Sequence, residues 1–115
     1  MIATSQLERK QEKNFFRQFH IDYNQMQAMA LAESKYIYLD FSQNGTKYMV
    51  KHQNQTLSER QLPDNIRLSD DSYIRRIGYH PNGAISQFGT FLFEIGGKHK
   101  KITVNIGQGK LVYEE

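Results

Sequence analysis

The residues best equipped for chemistry in this chain are basic. Lys98, His99, Lys100 and Lys101 run consecutively, and Arg75 and Arg76 stand side by side earlier in the chain. If strand pairing brings the two groups together, Arg75, Arg76, Lys98, Lys100 and Lys101 form a cationic patch suited to a phosphate backbone. The competing reading is that the lysines guard exposed strand edges against wrong pairing. Strand residues alternate faces, and no aromatic ladder interleaves these charges as a single-strand binder needs.

Other chemistry has less to work with. His20, His52, His80 and His99 are scattered over a helix and three separate strand or turn regions. No two have the close spacing of a metal-ligand pair. Asp70-Asp71 is the one adjacent acid pair before the C-terminus. It sits among serines, where such residues form turns, and lacks the ligand series of a calcium loop. Gly96-Gly97 and Gly107-Gln108-Gly109 fit neither phosphate-binding pattern and open no helix, so they read as hairpin turns. No serine has a nucleophile-elbow context. The expectation is a protein that is not an enzyme, with no catalytic residue, metal or cofactor.

The bulk numbers point the same way. A length of 115 residues fits one domain, 1–115. Hydrophobic residues make up 38% and mean hydropathy is -0.70, so the core must be modest. Seven Phe and seven Tyr argue against disorder. Without Cys there is neither a disulfide framework nor a thiolate zinc site. A net charge of +3 is too small alone to imply nucleic acid. No apolar run approaches the roughly 20 residues that span a bilayer. Met1 directly before a mid-helix-like sequence reads as an engineered start, and the chain as the soluble part of a longer protein.

The elements that must position these residues follow from periodicity. Gln6 to Glu33 reads as one helix, with Leu7, Phe15, Phe19, Met26 and Ala30 on a single stripe that Phe16 and Tyr23 widen. Ser5 is its expected N-cap. The stripe is dense after Phe15 and sparse before it. The later half should therefore lie on a sheet while the first turns project. A helix of this length spans roughly 42 Å at 1.5 Å per residue, more than a small sheet can cover.

At Ala32 to Tyr36 the period changes from 3.6 to 2. Strands are expected at Tyr36–Phe41, Thr46–Lys51, Thr56–Gln61, Ile66–Leu68, Ile74–Tyr79, Gly89–Ile95, Lys100–Ile106 and Leu111–Tyr113. Asn44-Gly45 and Pro81-Asn82-Gly83 supply turns. The fold class is α+β, a helical stem over 1–34 and an antiparallel sheet region over 35–115. An isolated helical end frays, so an overhang implies packing against other helices in a larger body.

Several segments carry a specific likeness. Phe15-Phe16-Arg17-Gln18-Phe19, followed by Tyr23, Gln27 and Ala30, resembles the stem of minor pseudopilins. So does the closing Ile106-Gly107-Gln108-Gly109-Lys110-Leu111. Between them Leu62-Pro63, Gly78-Tyr79-His80-Pro81-Asn82-Gly83 and Phe88-Gly89-Thr90-Phe91-Leu92-Phe93 follow in the family's order. The whole resembles the ComGD-type minor pseudopilins of the competence pilus of Gram-positive bacteria, and more distantly the H-type minor pseudopilins of general secretion. The family's leader and apolar half-helix are missing here, which implies truncation.

The resemblance implies a pilin-like fold and a structural role. A prepilin peptidase would cleave and methylate the precursor. The missing half-helix would anchor it in the cell membrane. Assembly with other major and minor competence pseudopilins would carry it into a surface fibre that takes up extracellular DNA for transformation. The alternatives are a minor pseudopilin of a type II secretion-like system, or a DNA-binding pilus-tip subunit. Fibre packing would fall to the helix stripe, namely Leu7, Phe15 and Phe19.

Overall fold

A computed structural model of the chain describes residues 2–87, 89–104 and 111–114, the last four and residues 2–5 by backbone alone. Among these residues one helix, α1 (Ile2–Glu33), precedes eight strands. It starts before Ser5, which lies inside it rather than capping it. No Gly or Pro interrupts α1. It ends where Ser34 turns left-handed at φ 54° and Lys35 N–H reaches back to the Ala30 carbonyl at 3.1 Å. That is the Schellman pattern with serine where glycine usually stands. At 1.5 Å per residue α1 is about 48 Å long, so it alone accounts for the 49 Å long axis of the molecule.

The strands form two four-stranded sheets. β1 (Ile37–Phe41), β2 (Lys47–His52), β3 (Gln55–Gln61) and β5 (Arg76–Tyr79) make the first, in the order β3-β2-β1-β5. β4 (Ile66–Leu68), β6 (Gly89–Ile95), β7 (Lys98–Val104) and β8 (Leu111–Glu114) make the second, in the order β4-β6-β7-β8. All their pairings are antiparallel. The expected final turn at Gly107-Gln108-Gly109 lies outside the described residues.

Period-2 burial seats both sheets on the helix. Ile37, Leu39 and Phe41 of β1 point inward, as do Tyr48 and Val50 of β2. Phe91 and Phe93 of β6 and Ile102 and Val104 of β7 do the same from the other sheet. Phe19 sits at the centre, its ring 5.5 to 5.9 Å from those of Tyr48, Phe91, Phe41 and Phe93. These tilted and edge-on contacts are the preferred geometry for aromatic pairs. β3 is the exception: every one of its residues is exposed, and a bulge between Val50 and Lys51 interrupts its register with β2.

The sheets are stitched at the β1–β2 turn. Gly45, at φ 71°, accepts from Leu68 N–H of β4 at 2.9 Å, and a Cβ there would strike that same residue's backbone. Arg75 sits on the other side of the turn and closes the seam with its guanidinium.

Candidate assembly surfaces

Along α1 the surroundings change at Phe15. Residues 6–14 are exposed apart from a half-covered Glu12, and Leu7 keeps 56% of its surface in water. From Phe15 onward one stripe is buried: Phe15, Phe16, Phe19, Tyr23, Met26 and Ala30. Of the three residues expected to pack in a fibre, Leu7 alone is accessible. Phe15 and Phe19 are consumed by the domain's own core, because the i, i+4 stripe that could face a neighbour is the one that seats both sheets.

Two depressions flank Phe16. A shallow groove of about 410 Å³ has Phe16 and Ile21 as its floor and Lys13, Arg17 and His20 on its rim. A smaller cleft of about 180 Å³ lies between Glu12, Ile95 and the Lys98-His99-Lys100 run. Lys100 separates the two, its Nζ 4.7 Å above the Phe16 ring and 3.9 Å from a Glu12 carboxylate oxygen.

The five residues expected to form one cationic patch come from both sheets and from different faces. Arg75 and Arg76 go with the first sheet, and the lysines with the second. Arg75 donates to the carbonyls of Ser42, Gln43 and Ser69 at 2.6, 2.9 and 3.2 Å. Arg76 pairs with Asp40 at 3.1 Å and lies over the Tyr38 ring. Strand alternation then divides the lysines. Lys98 and Lys100 share the face of Ile102 and Val104, whereas Lys101 points the other way, opposite Glu114 in the ladder. Among the described residues no group of three His, Asp or Glu side chains is placed to hold a metal ion.

A polar latch that the sequence did not disclose ties the helix to the first sheet. The Asp22 side chain is only 10% exposed. It accepts from Tyr48 O–H at 2.5 Å, Arg60 Nε at 2.7 Å and Gln18 Nε2 at 2.8 Å. Burial, then the adjacent Asp22 carboxylate, pushes the Tyr48 hydroxyl far above its usual range. Deeper in, Tyr79 donates to Tyr23 at 2.5 Å, and burial likewise raises Tyr23. Only the Gln18 and Asp22 spacing, i and i+4, was a readable signal; the partners at positions 48 and 60 are tertiary.

A long helix laid on antiparallel sheets, with its first turns overhanging, is the pilin fold. Type IV minor pilin FimU of Pseudomonas aeruginosa superposes with a TM-score of 0.74 at 12% identity, over 94% of this chain and 91% of that one. The minor pseudopilin EpsH from the Type 2 Secretion System of Vibrio cholerae gives 0.68 at 10% identity, over 89% and 94%. At these identities the likeness is one of fold. No family sequence model and no curated protein sequence matches the chain.

Proposed function

We propose that this chain is a minor pseudopilin of a competence pilus, a structural subunit in the fibre that takes up extracellular DNA for transformation. The observation that carries this reading is the unburied start of α1. An isolated helical end gains little in water, yet here residues 6–11 are exposed, Leu7 among them. Packing between neighbouring stems gives them a purpose. In this reading residues 1–115 form one domain, a stem over 1–34 and a sheet region over 35–115. Its partners are other major and minor competence pseudopilins, and a prepilin peptidase acts on its precursor. It resides in the cell membrane and then in the surface fibre, and it performs no catalysis. Among the described residues no helix is long and apolar enough to cross a membrane.

The second reading is a subunit of a type II secretion-like system, favoured by the fold likeness to EpsH. A DNA-binding tip subunit is a further alternative, though Arg75 and Arg76 are engaged by carbonyls and by Asp40. Leu7→Glu in the full-length protein tests the stem. The isolated domain should keep its stability while subunit incorporation and transformation fall. Wild-type transformation with the variant would end the stem reading, and a defect confined to secretion would favour the second.

A further inference from the structure

We propose that the basic groove beside Phe16 receives the acidic loop 70–73 of a second copy of this chain, in a head-to-tail contact. The proposal deepens the fibre-subunit reading and rests on it for its purpose.

The groove and the adjoining cleft gather four cations, Lys13, Arg17, Lys98 and Lys100, against one carboxylate, Glu12. With the histidines neutral that is a net +3, equal to the formal charge of the entire chain. A local excess of that sign attracts acidic groups. The partner must be acidic. The shallow groove sets Phe16 and Ile21 beside its cations, which suits a segment that carries both acidic and apolar side chains. Phe16 is buried and its ring carries Lys100, which leaves no open face for a stacked base. The fitting occupant is a protein segment with carboxylates beside an aromatic or apolar group.

The chain itself displays one. Asp70 and Asp71 are exposed, and Tyr73, at 72%, is the most exposed large hydrophobic side chain among the described residues. Asp70 has a 3.5 Å contact with Arg67, whose shorter bond of 2.7 Å goes to Glu94, and its side chain remains 74% exposed. The loop is held in shape. Ser69 N–H donates to Leu92 at 2.8 Å, Ile74 N–H to Thr90 at 3.3 Å and Ser72 Oγ to Ile74 at 2.6 Å. A preformed loop loses little entropy on docking.

One copy cannot make the contact with itself. The loop runs beside Thr90 to Leu92 on the β4 side of β6, whereas the cleft opens at Ile95 and Lys98, toward β7. From Thr90 to Ile95 is about 17 Å along the strand. Because groove and loop are different patches, the contact is heterologous and propagates as an open row.

Charge exchange tests this with the 115-residue chain alone. Sedimentation velocity at up to about 1 mM should show concentration-dependent association that weakens in high salt. Lys13→Glu with Arg17→Glu, or Asp70→Lys with Asp71→Lys, should each lower the association constant at least about 10-fold. All four side chains are exposed, so circular dichroism should be unchanged. An equimolar mixture of the two double variants should associate again, since each then offers the other an opposite partner. A wild-type chain that stays monomeric, a double variant that associates like wild type, or a mixture that stays monomeric overturns the proposal. None of these outcomes touches the Leu7 test of the stem.

Discussion

Residues 6–14 and 15–30 belong to one unbroken helix, yet they are held by different forces. The second stretch buries six side chains between two sheets and adds the Asp22 latch. The first is exposed apart from Glu12, which meets Lys100 at 3.9 Å, and is held mainly by its own hydrogen bonds. Helix propensity alone stabilises a short stretch only marginally. The contrast shows that tertiary packing holds one half, while the other is continuous with it and buries no side chain among its described residues.

The comparison breaks most sharply at Phe19. Phe19→Ala empties the centre of the aromatic cluster and should cost about 3–5 kcal/mol in denaturant unfolding. A loss below about 1 kcal/mol would mean the seated half is not anchored as described. Next comes Asp22→Ala, which strands the Tyr48 hydroxyl and releases Arg60. About 1–3 kcal/mol is expected, with amide exchange rising first in β3. Uniform exchange across both sheets would show that Asp22 does not tether β3.

Alkaline pH sharpens the same point. Tyr48 and Tyr23 have folded-state pKa values raised above the ordinary 10.0. The unfolded chain therefore releases these protons first. Stability is fully present below pH 10 and falls as pH rises beyond it. Tyr48→Phe should flatten that decline, and an unchanged slope would place the titration elsewhere. The smallest effect belongs to the stem. Leu7→Glu should move the isolated domain's stability by no more than about 0.5 kcal/mol, and a larger change in melting temperature would show that residues 6–14 are packed after all.

Much of this architecture could be read from local pattern. The shift from period 3.6 to period 2 near Ala32, the Asn44-Gly45 turn and the alternation of Phe91 and Phe93 are short-range signals, and the strands fall within about two residues of their expected ends, save that the expected end at Ile106 lies outside the described residues. What escaped was long-range. No pattern reveals that eight strands divide into two sheets, or that Asp22 meets Tyr48 and Arg60. The need for glycine at position 78 was equally hidden. A Cβ there would collide with the Tyr36 hydroxyl, which bonds Ser86 at 2.9 Å. The basic candidates misled because identity cannot show that Arg75 is occupied by carbonyls or that Lys101 faces away from Lys100. Leu7, Phe15 and Phe19 share a stripe, and only the sheets' position divides them into accessible and occupied.

β3 offers a practical opening. Its residues all face water, its link to the core runs through Arg60, and it joins β2 at Gln53-Asn54. The chain has no cysteine. A single thiol introduced at Asn54 would be unique among these 115 residues and far from buried packing. A dye attached there could report association of the purified domain without perturbing the seated helix.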